Sequence, residues 1–227
     1  MLKDNLSTYN LPQPNDLSVE PNHEVIFVLD FIDRNISKFR LYYQTIKDSD
    51  HENRISDFLV SHLQLCINEE RAEGFPPLNF RKNPTQPDSG KETDIGVIVL
   101  TRNTKPVTII EFESKRFSDT SNNKEYVCGK RGGIERFKRG EHASHLSICG
   151  MFGYIQNRQS AEWIQRINIW IEELSKTNPS ADIDWSNIKE QLVSVKSFPH
   201  VEKYVSINSR GKLLVPIMIY HYFLNLC

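Results

Sequence analysis

Apolar residues recur along this chain with two different periods, and the changes between them outline its elements. From residue 23 to about residue 47, the pairs Phe27–Phe31, Ile32–Ile36 and Phe39–Tyr43 stand four apart, the stripe of an amphipathic helix. Its start is open, because residues 25–29 alone also read as a strand. Asp48, Ser49 or Asp50 is placed to cap a second helix with apolar positions Ile55, Phe58, Leu59, Leu63 and Cys66. Residues 74–91 read as a proline-rich loop, with 78–80 as a short edge strand inside it. Residues 94–100 and 107–112 are dense in β-branched side chains and predict two strands. Arg102, Asn103, Thr104 and Lys105 form the turn between them, and Pro106 delays the second strand. After a polar loop at 118–124, residues 141–156 are expected as a helix, with Gly150 and Gly153 packing it closely on the sheet. A strongly amphipathic helix follows over 160–176, its apolar face made by Trp163, Ile164, Ile167, Trp170, Ile171 and Leu174. Residues 185–195 are expected as a short helix. From Tyr204 the chain returns to strand chemistry, turning at Arg210-Gly211 into an apolar tail where Pro216 argues against a regular central strand. Residues 1–22, rich in Asn, Pro and Ser, read as a flexible or partner-docking arm, leaving 23–227 as one domain.

Length and charge narrow the function classes. A chain of 227 residues holds one α/β domain with a full core. A net charge of −1 excludes a protein that coats nucleic acid nonspecifically, so any DNA contact must come from a local patch. Cys66, Cys128, Cys149 and Cys227 form no CxxC pair, which points to reduced thiols and a cytoplasmic protein. No apolar run reaches membrane length, and the N-terminus lacks a secretory pattern.

The candidate chemistry sits on the hairpin 94–113. If the hairpin is symmetric about the 103/104 bond, Ile95 faces Phe112, Val97 faces Ile110 and Val99 faces Thr108. Ile98 then faces Ile109, Gly96 faces Glu111 and Asp94 faces Glu113. Glu111, Glu113 and Lys115 project the same way as Asp94. Opposed Cβ atoms lie roughly 4.5–5.5 Å apart. Two carboxylates that close need a cation or a proton between them. Glu111, opposite Gly96, reads as a supporting or second-cation carboxylate, or as a solvated one. Glu52 stands in the first turn of its helix, where the macrodipole favours an acidic residue. Pro87-Asp88-Ser89-Gly90 reads as a β-turn rather than as part of the site. The one dense basic block, Lys130, Arg131, Arg136, Lys138 and Arg139, is interleaved with Tyr126 and Phe137 and reads as a phosphate-backbone contact. His142 and His145 lack an HExxH pattern and a third ligand, so packing or phosphate contact fits them better than a metal.

An Asp followed one strand later by Glu-x-Lys, here Asp94 and Glu113-Ser114-Lys115, resembles the PD-(D/E)xK nuclease superfamily over about residues 52–156. The resemblance implies a restriction-endonuclease-like α/β core, a central mixed sheet with the 94–113 hairpin flanked by helices. It implies a Mg²⁺- or Mn²⁺-dependent endonuclease acting on DNA, with the metal held by Asp94, Glu113, the Ser114 carbonyl and Glu52, a helix carboxylate pointing at the site for which Asp57 is the weaker candidate. Lys115 would orient or help deprotonate the attacking water. The segment GGIERFKRGEHA (132–143) also resembles bacterial nuclease-like proteins, some from anti-phage systems, which implies an effector subunit of a defence complex. With no separate DNA-reading module in the sequence, target recognition is expected from a protein partner or a homo-oligomer. The competing expectation is a catalytically silent subunit that uses the same fold to bind nucleic acid or protein.

Overall fold

The structure, a computed structural model, describes residues 19–70, 77–85, 90–100, 107–178, 182–187, 190–211 and 214–227. Most of the expected N-terminal arm, the 101–106 turn and Pro87-Asp88 lie outside the described residues.

The helical stripe after residue 23 forms α1 (His23–Asn35), a 3-10 turn (Ile36–Lys38) and α2 (Phe39–Ile46). Asn22 caps α1 by accepting from the Val25 amide at 2.9 Å, so residues 25–29 are helix rather than strand. The next stripe is α3 (Glu52–Glu70). Seven strands follow: β1 (Leu78–Lys82), β2 (Ile95–Val99), β3 (Val107–Phe117), β4 (Ile148–Ile155), β5 (Val193–Phe198), β6 (Val201–Asn208) and β7 (Ile217–Asn225). Their order in the sheet is β1-β2-β3-β4-β7-β6-β5. The β3–β4 and β4–β7 pairs are parallel and the others antiparallel. Two further helices, α4 (Gly133–Arg139) and α5 (Ser160–Thr177), complete an α/β fold with a mixed sheet between helical layers. One apolar core joins α1–α3 to one sheet face, and a second joins α4 and α5 to the other.

Three expectations are corrected. Residues 148–155 are not helix but β4, the strand between β3 and β7. All eight of its residues are buried. Phe152 and Tyr154 enter the first core while Cys149, Met151 and Ile155 enter the second. A strand apolar on both faces shows no two-residue alternation. Its glycines make room: a Cβ at Gly150 would lie 2.2 Å from the Phe112 ring of the neighbouring strand. Pro216 does not disturb the last strand, because β7 begins one residue later and is an interior strand between β4 and β6. The short helix expected over 185–195 does not run through the described residues there: of them only Glu190 is helical, in a 3-10 turn, and from Val193 the chain is the solvated edge strand β5.

The α1–α3 layer is tied to the sheet by a buried charge cluster. Lys203 on β6 donates to both Asp33 carboxylate oxygens at 2.9 and 2.8 Å, and Tyr222 on β7 donates to the same group at 2.7 Å. Among the described residues, no helix is long and apolar enough to cross a membrane.

Candidate active site

The hairpin register agrees with expectation at one end only. Ile95 pairs with Phe112, Gly96 with Glu111 and Val97 with Ile110; a bulge then shifts Ile98 to Thr108 and Val99 to Val107. Ile109 is the extra residue, so the expected pairs Ile98–Ile109 and Val99–Thr108 do not form. The ladder begins at Ile95, so Asp94 precedes it rather than pairing within it. β3 runs five residues past its last β2 partner, Phe112. Two of its amides beyond that point are taken by carboxylates from elsewhere in the chain. Asp94 Oδ2 accepts from the Ser114 amide at 2.6 Å, and Glu52 Oε2 accepts from the Arg116 amide at 2.7 Å. The need to satisfy backbone donors where the ladder ends thus brings two acidic side chains to the edge of β3.

Strand alternation sends Glu113 and Lys115 toward the α4 layer, while Ser114 turns to the other face, its Oγ 3.3 Å from the Tyr154 hydroxyl. Lys115 Nζ donates to Glu113 Oε1 at 2.9 Å and lies 3.7 Å from Glu52 Oε1. Arg136 Nη1, reaching in from α4, donates to the same Glu113 oxygen at 3.0 Å. His142 Nδ1 stands 3.1 Å from Glu113 Oε2, close in distance but not aligned as a hydrogen bond, and neither atom has a hydrogen-bond partner. Asp94, Glu113, Lys115 and Glu52 therefore meet in one place, with Ser114 between them. Arg136 and His142 join them, and the sequence reading had not placed either beside Glu113.

The two carboxyls are driven apart. Burial pushes the Asp94 carboxyl up and the negative charge of Glu113 adds to it, to about 7. Burial alone would raise Glu113 as well, but His142 and Lys115 outweigh it and hold the carboxyl down at about 2. Lys115 loses hydration on burial, yet Glu113, Glu52 and Asp94 more than compensate and raise it, so its ammonium stays charged. The folded Asp94 keeps a proton that the unfolded chain releases near 3.8. This carboxyl therefore lowers stability as pH rises from there to about 7. Glu113 acts in the opposite sense, and its contribution is lost as pH falls from 4.5 to about 2.

No family model, curated protein or solved structure matches this chain. What the site can hold rests on its own chemistry. Among the described residues, no group of three or more His, Cys, Asp and Glu side chains is arranged to hold a metal ion. Burial and the nearby Glu113 charge both disfavour the Asp94 anion, and Glu113 Oε2 is buried without a hydrogen bond.

The basic block does not act as one patch. Lys138 is fully buried, its ammonium 2.5 Å from Glu190, and cannot meet a phosphate. Arg139 pairs with Glu135 one helical turn away. Lys130 and Arg131 are exposed, and Arg131 lines a mostly polar cavity of about 480 Å³ together with Glu52, Lys115, Arg116 and Asn122. Glu111 is not solvated either: it is buried and accepts from the Thr93 hydroxyl at 3.3 Å.

Proposed function

We propose that this chain is a divalent-metal-dependent nuclease of the PD-(D/E)xK kind, hydrolysing phosphodiester bonds of DNA. The observation that carries the reading is the gathering of Asp94, Glu113 and Lys115 at the open edge of β3, with the Asp94 carboxyl raised by burial and by its carboxylate neighbour. Asp94 and Glu113, with the Ser114 carbonyl and Glu52, would hold Mg²⁺ or Mn²⁺, which when bound supplies a Lewis acid and a more acidic water. Glu113, Glu52 and Asp94 hold Lys115 as an ammonium against its burial. It would orient the attacking water or help deprotonate it, and offset charge developing on the phosphate. Glu52 fixes the end of the strand through the Arg116 amide and holds the Lys115 side chain in the site. The adjoining cavity is of nucleotide size, and its Arg131 and Asn122 suit a sugar-phosphate group beside the scissile bond.

With Lys138 buried and Arg139 paired, few cations remain for backbone contacts, which supports target recognition by a protein partner or a second copy of the chain. The double engagement of Glu113 Oε1 by Lys115 and Arg136 favours a second reading, a silent subunit in which these charges only stabilise the fold. Incubation of supercoiled plasmid and single-stranded DNA with Mn²⁺ separates the two. Wild type is expected to cut, with no cutting in chelator and none by Glu113→Ala. Equal cutting by wild type and Glu113→Ala would refute the site.

A further inference from the structure

The cavity beside the candidate active site has braced walls and unspent polar groups. It holds about 480 Å³ and lies between the start of α3, the end of β3 and the loop that follows β3. The Arg116 guanidinium ties that loop to the start of α3, donating to the Ser121 hydroxyl at 3.1 Å and to the Asp50 carbonyl at 3.1 Å. Asn123 closes the loop on itself: its carboxamide accepts from the Ser118 amide at 3.2 Å and donates to the Ser118 carbonyl at 2.9 Å. His51, Asn53 and Arg131 also line the cavity, yet among the described residues their side chains make no hydrogen bond or ion pair. An imidazole, a carboxamide and a guanidinium left open in one cavity are the groups that hydrogen-bond a base edge and phosphate oxygens.

Resting on the nuclease reading, we infer that this cavity receives one unpaired nucleotide next to the scissile phosphate, so that the substrate is single-stranded DNA rather than continuous duplex. Lys115 and Glu52 stand on the cavity wall, so a nucleotide held there has its phosphate at the reacting end of β3. A base stacked and paired in a duplex reaches such a cavity only by leaving the stack, a cost that a single strand does not bear. The surface offers a duplex little in return: Lys138 is buried and Arg139 is paired, so α4 presents no row of cations to two backbones. Arg131 takes a backbone phosphate of the strand, and His51 and Asn53 meet the base.

The test is fluorescence anisotropy in chelator, with a short labelled DNA strand and the same strand in a blunt duplex, for wild type, Arg131→Ala and Lys130→Ala. Lys130 is exposed beside Arg131 in the chain but does not line the cavity. Wild type is expected to bind the single strand at least about tenfold more tightly than the duplex, the scale of the unstacking it avoids. Arg131→Ala should lose about tenfold on the single strand, the scale of one hydrogen bond from a charged group, and Lys130→Ala clearly less. Equal binding of strand and duplex overturns the inference, as does binding of neither. Equal losses in the two variants also overturn it, since Arg131 would then act only as surface charge. Cleavage of the same two DNAs with Mn²⁺ keeps the nuclease reading separate. Glu113-dependent cutting of the duplex in preference to the single strand upholds that reading and overturns this inference. Wild type that binds the strand as expected but cuts neither DNA supports the cavity as a single-strand site and removes the nuclease reading alone.

Discussion

Lys115→Ala is expected to slow metal-dependent cleavage by about 10²–10⁴-fold, the range for losing a positioned group that acts on the reacting water and the developing charge. The ammonium lies between Glu113 and Glu52 and is mostly buried, so no solvent cation takes its place at fixed geometry. Glu113 keeps Arg136 and His142 as neighbours after the substitution, so the carboxylate is not left bare and the domain should remain folded. Single-turnover rates at saturating Mn²⁺, with circular dichroism as the control for folding, measure the effect. A rate within threefold of wild type would show that Lys115 has no part in the chemistry.

Lys138→Met is expected to destabilise the domain by about 3–5 kcal/mol, the cost of leaving one partner of a buried ion pair uncompensated. That is a large share of the roughly 5–15 kcal/mol by which domains are stable. Lys138 and Glu190 are both fully buried. Glu190 also accepts from the Ser209 amide at 2.8 Å and from its hydroxyl at 2.6 Å, and the Lys138 ammonium sits 4.7 Å from the centre of the Trp185 ring. The cluster joins α4 to the segment after α5 and to the end of β6. Burial lowers the Lys138 ammonium, with Glu190 acting against it, so the pair stands or falls together. Adding Glu190→Gln to Lys138→Met should restore much of the loss, because the buried charge is then gone while Ser209 keeps an acceptor. Urea denaturation of the three proteins reads the result, and a loss below about 1 kcal/mol in the single variant would show that water reaches Glu190.

The helices were legible because each has one wet face: α1, α2, α3 and α5 carry the four-residue spacing that solvent on the other side enforces. β4 was not, because both its faces are dry and its apolar run matches a helix as well as a strand. Gly150 and Gly153 held the missing signal, since close approach between neighbouring strands needs such positions. β5 hid for the opposite reason, as most of its residues face solvent. In the candidate site, the shared side of Asp94, Glu113 and Lys115 was legible from strand phase, while Glu52, on a helix, came from the family resemblance. Arg136 reads from sequence as a DNA contact and His142 as a packing or phosphate contact, because their contact with Glu113 depends on where α4 crosses the sheet. The burial of Lys138 was readable: it stands four residues after Ile134 and next to Phe137, on the apolar side of α4.

The account rests on one divalent cation shared by Asp94 and Glu113. Its most direct test is calorimetric titration of Mn²⁺ into wild type and Asp94→Asn. Asn keeps an oxygen to accept from the Ser114 amide, so the strand edge should be preserved while one ligand charge is lost. Saturable binding to wild type, weakened at least about tenfold in Asp94→Asn, is the predicted result, since about 1.4 kcal/mol is a modest value for one charged ligand. Equal binding by both proteins, or none by either, would contradict the cation site on which the nuclease reading depends.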